Sequence, residues 1–249
     1  MGHATFYCAG STKALQIAAE LLRRAGIATA REPDGSITDL LLDIPSFDSS
    51  GNLRSGEDPE ALFSRLPRIT RIWGGNLGEL PFKKTVDLLK DAQYLAENAA
   101  ITADCALKLA APMLDTTWQL SRVLILGWGR IGKQLSKMLR SLGADVTVCA
   151  RKPADRALLR AFGYSGIDIE GLTDLSCRFD LIFNTAPAPM LSCTREIIGS
   201  RCIPIDLASV AGLTRDRVIQ ARGLPGKMAP RASGQLIARR ILELRKELN

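Results

Sequence analysis

The residue pattern with the clearest chemical meaning is a Gly-x-Gly-x-x-Gly motif formed by Gly127, Gly129 and Gly132. The apolar run Val123 to Leu126 precedes it without alternating polar residues, which is typical of a parallel strand buried on both faces. Apolar residues at helical spacing follow it and indicate a helix. In such a unit the first glycine makes the tight turn, the second lets the backbone approach a pyrophosphate, and the third lets the helix pack on the strand. The context favours a dinucleotide site, with the N–H groups of the helix directed at the phosphates, over a plain strand–helix turn.

The residues after the second predicted strand indicate which dinucleotide binds. This strand runs from Asp145 to Ala150, and Arg151 and Lys152 follow it. An enzyme that prefers NAD would carry Asp or Glu there for the ribose hydroxyls, whereas two cations suit the 2′-phosphate of NADP. The pattern therefore favours NADP over NAD. The alternative is that both residues are solvated surface cations.

Polar residues follow two further apolar runs in the second half of the chain. Asn184 to Pro187 follows Leu181 to Phe183, and Asp206 to Ser209 follows Ile203 to Ile205. We expect both polar segments at the carboxyl ends of parallel strands, where open α/β sheets bind ligands. For Asp206 two interpretations stay open: it faces the ligand, or it only caps a turn through its own backbone.

An oxidoreductase also needs a way to fix its substrate and a group that moves a proton. The only histidine is His3, near the N-terminus, which argues against the 2-hydroxyacid dehydrogenases that use a histidine for this purpose. The loop Gly223 to Pro230 is dense in glycine and proline and is predicted to form a wall beside the nicotinamide. The candidates for chemistry are therefore Asp206, Ser209, Asn184, Thr185 and Lys227.

Composition excludes several classes of protein. A net charge of +7 suits phosphate and carboxylate ligands, but the cations are scattered and aromatic residues make up only 5%, so we expect no nucleic-acid partner. No apolar run approaches the roughly 20 residues of a membrane span, which predicts a cytoplasmic protein. The six cysteines form no C-x-x-C pair, so we expect reduced thiols and no metal site.

The alternation of strand and helix signals over 249 residues predicts two α/β domains, the second a Rossmann doubly wound parallel sheet. The predicted boundaries place an N-terminal, substrate-side domain at 1–95 and a NADP-binding Rossmann domain at 121–228. A connecting helix is expected within 96–120, from about Ala103 to Leu114. A C-terminal helix, 229–249, is expected to pack back on a neighbouring domain.

The second half of the chain resembles the family formed by the A subunits of dipicolinate synthase. The matching stretches are Val123 to Gly132, Leu142 to Arg151, Phe183 to Pro187, Asp206 to Ser209, Gly223 to Pro230 and Ser233 to Gln235. The pairing of Asp-Leu-Ala-Ser with Gly-Leu-Pro-Gly-x-x-Ala-Pro is the most specific of these features. In the first half the likeness rests on Trp73 to Asn76 and on Asn98 with Thr102.

The resemblance implies oxidation of a dihydrodipicolinate-like dicarboxylate to the dipicolinate of bacterial spores, with hydride passing to NADP+. It also implies the flavoprotein-like B subunit of dipicolinate synthase as a partner, and we expect a homo-oligomer. Asn98, Thr102 and Ser209 would donate hydrogen bonds to the two carboxylates, and Lys227 or Arg231 would supply charge. Thr102 is expected near the N-terminus of the connecting helix, where free N–H groups favour a carboxylate; the alternative is that it only caps this helix.

The predicted site therefore has two parts. The catalytic and substrate-binding residues are Asp206, Ser209, Lys227, Asn98 and Thr102. The cofactor-binding residues are Gly127, Gly129, Arg130, Ile131, Gly132, Ala150, Arg151, Lys152, Asn184, Thr185, Ala186, Pro187, Leu207, Ala208 and Gly226. Two other functions stay open: a NADP-binding regulatory or scaffold protein without catalysis, and a dehydrogenase of another small carboxylate.

Overall fold

The computed structural model describes residues 5–48, 50–78, 80, 84–168, 172, 179–187, 201–210, 212–213 and 217–248. The chain divides into two compact units, the first formed by Met1–Asn98 with Pro225–Asn249 and the second by Ala99–Leu224. Each unit contains a parallel sheet with helices, which confirms the predicted α/β class.

The elements are named in chain order. The strands are β1 (Thr5–Ala9), β2 (Ala28–Ala30), β3 (Asp39–Leu42), β4 (Arg71–Gly74), β5 (Thr85–Asp87), β6 (Arg122–Leu126), β7 (Asp145–Cys149), β8 (Ser165–Ile167), β9 (Leu181–Asn184), β10 (Ile203–Asp206) and β11 (Ile219–Gln220). The helices are α1 (Lys13–Arg24), α2 (Pro59–Ser64), α3 (Ala92–Ala110), α4 (Arg130–Ser141), α5 (Pro153–Ala161), α6 (Leu224–Met228) and α7 (Pro230–Glu247).

The first unit has a five-stranded sheet in the order β2-β1-β3-β4-β5, with every described pair parallel. Helix α1 begins at the Thr12 cap, whose hydroxyl accepts the Leu15 N–H at 3.3 Å, and it packs against α7. The two helices approach closely at Gly234, because a Cβ there would lie 2.6 Å from the Ala14 carbonyl oxygen. The C-terminal helix therefore belongs to the core of the first unit.

The second unit has a six-stranded parallel sheet in the order β8-β7-β6-β9-β10-β11. When the strands are renumbered from β6, this order is 3-2-1-4-5-6, that of the dinucleotide-binding Rossmann fold. The strand order reverses between β6 and β9, so the ligand crevice of such a sheet lies beyond the carboxyl ends of these two strands. Their side chains are buried from Val123 to Leu126 and from Leu181 to Asn184, which explains the unbroken apolar runs in the sequence.

Helix α3 begins eleven residues earlier than predicted, at Ala92 rather than Ala103. The Asp91 carboxylate accepts the Tyr94 N–H at 2.7 Å and caps the helix at this earlier point. Thr102 is therefore in the helix interior, where its backbone N–H belongs to the helical hydrogen-bond pattern. The prediction that Thr102 lies near the helix N-terminus, among free N–H groups, is wrong, and so is the alternative that it caps this helix.

Asp91 also anchors helix α7 through an ion pair with Arg240. The two carboxylate oxygens accept hydrogen bonds from Arg240 Nε and Nη2, both at 2.9 Å, and the Arg240 side chain is only 9% exposed. The hydrogen bond from Arg240 is the largest cause that lowers the pKa of Asp91. The pair contributes to the stability of the first unit whenever Asp91 is ionised.

We expect Asp91→Asn to lower the free energy of unfolding by about 1–2 kcal/mol at neutral pH, because Arg240 loses its two-bond carboxylate partner but keeps Glu243 and Glu247. Asn can still cap the helix, so the change isolates the ion pair. Since the folded pKa of Asp91 lies below its unfolded value, the contribution is complete above that value, about 3.9, and is lost as pH falls through the folded pKa. Urea unfolding at a series of pH values should therefore show the two proteins converging in acid.

The matched control is Asp104→Asn in the same helix, which removes an exposed partner of Lys108. Its expected cost is below about 0.5 kcal/mol at every pH. Equal losses in the two variants, or a pH-independent loss for Asp91→Asn, would contradict the assignment.

Candidate dinucleotide site

The turn between β6 and α4 carries the three motif glycines. Gly127 has a φ of +101°, and a Cβ on Gly132 would lie 2.2 Å from the Gly127 carbonyl oxygen. Both positions therefore require glycine for reasons internal to the protein. Gly129 differs, because its φ is −82° and a Cβ there would meet no described atom within 4 Å. The second glycine of the motif is predicted to let the backbone approach a pyrophosphate. The open space beside Gly129 is where this pyrophosphate would lie.

The N-terminus of α4 offers hydrogen-bond donors to the same space. Gly129 is the N-cap residue, and its carbonyl accepts the Lys133 N–H at 3.0 Å. No side chain of the described residues caps this helix. The first-turn N–H groups, which include those of Arg130 and Ile131, have no acceptor within the helix and can bind an anion.

A network of polar side chains ties the carboxyl ends of the neighbouring strands together. The Thr185 hydroxyl donates to the Leu126 carbonyl at 2.9 Å and so joins the end of β9 to the end of β6. The buried Asn184 side chain donates to Asp206 at 2.9 Å and accepts the Ala186 N–H at 3.2 Å. These contacts fix the predicted cofactor segments after β6, β9 and β10 at one edge of the sheet.

The Asp206 carboxylate is completely buried and is surrounded by protein donors. Its Oδ1 accepts from Asn184 Nδ2 and from the Ala208 N–H at 3.0 Å. Its Oδ2 accepts from the N–H groups of Gly212 and Leu213 at 2.8 and 2.9 Å. The geometry favours the turn-capping interpretation that the sequence left open. Asp206 therefore holds the loop after β10, whereas Ser209 is exposed.

The two cations predicted to bind the 2′-phosphate lie at the junction of β7 and α5. Arg151 and Lys152 are both exposed, and Lys152 is the N-cap residue of α5. The preceding Ala150 is buried, and its N–H donates to the Ile167 carbonyl at 2.9 Å. The loop is thus anchored at one end while its cationic side chains face solvent.

Sequence reasoning missed an aromatic and cationic cluster beside the glycine turn. Trp128, which lies between the first two motif glycines, packs at a tilt on Tyr164 with 5.7 Å between ring centroids. The Lys133 ammonium lies 5.8 Å from the Trp128 ring, and the Arg140 guanidinium lies 4.9 Å from the Tyr164 ring. The available signal was that Lys133 and Arg140 are two turns apart on one face of α4. The cluster restrains the side chain at the centre of the turn.

The residues predicted to bind the substrate are distributed over both units. Asn98, Gly226 and Lys227 belong to the first unit, and Thr102 and Ser209 belong to the second. Asn98 is half-buried and Thr102 is 8% exposed, whereas Gly226 and Lys227 are exposed. Gly226 and Lys227 lie in the short helix α6, so the predicted loop contains one helical turn. That these residues surround one substrate stays a prediction.

Other kinds of site find little support in the part of the chain that the structure describes. No group of His, Cys, Asp and Glu side chains within it could hold a metal ion. None of its helices combines the length and the apolar character that crossing a bilayer requires. Burial raises the pKa of Cys8 and of Cys149 to about 12, so both thiols are protonated at neutral pH and are poor nucleophiles.

The strand order and the glycine turn define a Rossmann-type dinucleotide-binding unit that is combined with a second α/β unit. The A subunit of dipicolinate synthase from Bacillus subtilis (strain 168) is 29% identical to this chain over 189 residues, which are 72% of this chain and 64% of that protein. The match thus spans less than two thirds of the length of this curated relative. No family model matches.

Solved structures extend the similarity to the fold. The A subunit of dipicolinate synthase from Bacillus halodurans superposes with a TM-score of 0.82 at 21% identity, covering 97% of each chain. The corresponding protein from Bacillus subtilis gives a TM-score of 0.81 at 22% identity, covering 99% of this chain and 97% of that one. A transhydrogenase from Sinorhizobium meliloti gives 0.64 at 13% identity, covering 98% of this chain and 94% of that chain. The resemblance to the A subunits of dipicolinate synthase is therefore confirmed.

Proposed function

We propose that the chain is a NADP-dependent oxidoreductase of the dipicolinate synthase type, which oxidises a dihydrodipicolinate-like dicarboxylate to dipicolinate. The observation that carries the proposal is the open face at Gly129, next to the uncapped N-terminus of α4 and at the point where the strand order reverses. The similarity to the A subunit of dipicolinate synthase supports the class of substrate.

The nicotinamide ring, when bound, supplies a hydride acceptor; the dihydropyridine loses one hydrogen as this hydride and a second as a proton when it becomes aromatic. The first turn of α4 binds the pyrophosphate, and Arg151 with Lys152 binds the 2′-phosphate. The segments 184–187 and 207–208 form the surroundings of the nicotinamide, and Gly226 stays a predicted contact. Asp206 keeps the loop at 207–209 in place.

In the proposed function, polar side chains bind the substrate. Asn98 and Thr102 are four residues apart on α3 and so project from the same face of this helix. They donate hydrogen bonds to a carboxylate through their side chains, since Thr102 has no free backbone N–H to offer. Ser209 donates another, and Lys227 or Arg231 supplies the positive charge that a dicarboxylate requires. In this proposal the 1–95 region is the substrate-side domain and 121–228 is the nucleotide-binding domain.

The preference for NADP is tested by Arg151→Asp. We expect the binding free energy of NADP+ to become less favourable by about 1.5–3 kcal/mol, the scale of a charged hydrogen bond. The dissociation constant for NAD+ should stay unchanged. Equilibrium titration with both nucleotides measures the difference. Arg160→Asp, which makes the same charge change at an exposed position of α5, serves as the control. Equal losses for both nucleotides, or no loss, would contradict the assignment of Arg151.

The reaction is tested with an enzymatic supply of dihydrodipicolinate, the purified chain, and either NADP+ or NAD+. With NADP+ at neutral pH, we expect equal amounts of NADPH and dipicolinate, both above the amounts in a protein-free control. Parallel reactions with and without the B subunit of dipicolinate synthase test whether the chain needs the partner that the name of its relative implies.

Two outcomes would replace this proposal by its alternatives. Binding of NADP+ without product, even with the B subunit present, would favour a regulatory or scaffold protein. Reduction of NADP+ by another small carboxylate, with none by dihydrodipicolinate, would favour a dehydrogenase of a different substrate.

A further inference from the structure

Arg156 donates hydrogen bonds to three successive carbonyl groups of the loop that follows β7. Its Nη1 donates to the carbonyl oxygens of Ala150 at 2.9 Å and of Arg151 at 2.8 Å. Its backbone N–H donates to the Lys152 carbonyl at 3.2 Å. One residue in the first turn of α5 thus satisfies the backbone acceptors of the whole 150–152 segment.

This segment carries the two cations that would meet the 2′-phosphate. With its carbonyl groups bonded to Arg156, the loop is ordered before any nucleotide arrives, and less conformational entropy is lost on binding. The Ala150 and Arg151 carbonyl groups face the guanidinium, while the Arg151 and Lys152 side chains are exposed. The order of the loop therefore depends on a residue outside it.

Arg156 also faces an acidic residue at the same edge of the sheet. Its Nη2 lies 3.7 Å from Asp168 Oδ2, and the side chains are 20% and 40% exposed. Asp168 follows β8 directly, and in the parallel β7–β8 pair Cys149 lies opposite Ile167. Asp168 is thus next to the 150–152 loop, and its negative charge would repel a 2′-phosphate bound there. Arg156 supplies the compensating positive charge.

We propose that Arg156 is a positioning residue for nucleotide selectivity: it orders the 150–152 loop and neutralises Asp168, so that the site accepts a dinucleotide with a 2′-phosphate. This inference rests on the proposed function, because it assumes that a dinucleotide binds at the Gly127–Gly132 turn. It extends the proposed function, because nucleotide selectivity then depends on the pairing of Arg156 with Asp168 as well as on the exposed Arg151 and Lys152.

The test is equilibrium titration of the full chain with NADP+ and NAD+ in Arg156→Gln. We expect about a tenfold rise in the dissociation constant for NADP+ and a change below about threefold for NAD+, since only the former carries the 2′-phosphate. Arg160→Gln, four residues further along α5, removes the same charge from an exposed position and should leave the ratio of the two constants unchanged.

Further variants separate charge from loop order. Asp168→Asn leaves the bonds between Arg156 and the loop in place and should lower the dissociation constant for NADP+ about two- to threefold without affecting NAD+. The double change Arg156→Gln with Asp168→Asn should recover part of the lost NADP+ affinity. If Arg156→Gln does not fold, Arg156→Lys takes its place, because it keeps the positive charge but not the guanidinium that bonds the 150–152 loop. We then expect the dissociation constant to rise for NADP+ and not for NAD+, and an unchanged ratio of the two constants would overturn the inference.

The outcomes distinguish this inference from the proposed function. If the wild-type chain prefers NADP+ but Arg156→Gln and Asp168→Asn keep the wild-type ratio, or lose both nucleotides equally, the inference is overturned and the proposed function is not. If the wild-type chain binds neither nucleotide, both are overturned.

Discussion

Gly132→Ala is expected to weaken dinucleotide binding at least about 100-fold and to destabilise the second unit by about 1–3 kcal/mol or more. The added Cβ would lie 2.2 Å from the Gly127 carbonyl oxygen and 3.2 Å from Thr185 Oγ1. The first of these contacts is with backbone, which cannot rotate away as a side chain can. Relief of the clash therefore requires movement of the glycine turn itself, which removes the binding geometry.

Gly129→Ala is the matched control, since its backbone conformation suits alanine and its Cβ would meet no described atom within 4 Å. Its free energy of unfolding should change by less than about 1 kcal/mol. Its affinity for the dinucleotide should nevertheless fall at least about tenfold, because the methyl group occupies the face assigned to the pyrophosphate. Urea unfolding and nucleotide titration measure the two effects separately. A Gly129→Ala protein that binds like wild type would place the pyrophosphate elsewhere.

Asp206→Ala is expected to have the largest effect on stability, a loss of about 3–5 kcal/mol. It leaves the Asn184 amide and the N–H groups of Ala208, Gly212 and Leu213 without their acceptor in a buried position. Each unsatisfied buried donor costs about 1–3 kcal/mol, and local relaxation with entry of water recovers part of the sum. Urea unfolding at neutral pH measures the loss.

Ser209→Ala, three residues further and exposed, provides the comparison and should change the free energy of unfolding by less than about 0.5 kcal/mol. In the proposed function Ser209→Ala weakens substrate binding, whereas Asp206 acts through the loop that carries Ser209. An Asp206→Ala protein that folds as stably as wild type but lacks activity would restore the ligand-facing interpretation of Asp206.

The nucleotide turn could be predicted from sequence because its determinants are local. The buried strand, the glycines and the helical spacing after them occupy about twenty consecutive residues, and Gly127 and Gly132 do in the structure what their spacing predicts. The start of α3 could not be obtained in this way. In the sequence nothing distinguishes Asp91 from the other acidic residues. Its bond to the Tyr94 N–H and its ion pair with Arg240, 149 positions away, appear only in the structure.

Asp206 and Arg156 show a second limit. The sequence indicates that Asp206 lies at a strand end. Only the structure shows that its carboxylate accepts hydrogen bonds from protein groups, among them the N–H groups of Gly212 and Leu213. Arg156 bonds carbonyl groups five and six residues before it, a spacing that no common motif predicts. Its pairing with Asp168 follows from the adjacency of β7 and β8, which is a property of the assembled sheet.

Calorimetric titration of the wild-type chain with NADP+ and with NAD+ tests the central claim most directly. The account predicts saturable binding of one nucleotide per chain, with NADP+ bound at least about tenfold more tightly than NAD+ because of the cations at Arg151 and Lys152. Absence of saturable binding for both nucleotides, or tighter binding of NAD+, would contradict it.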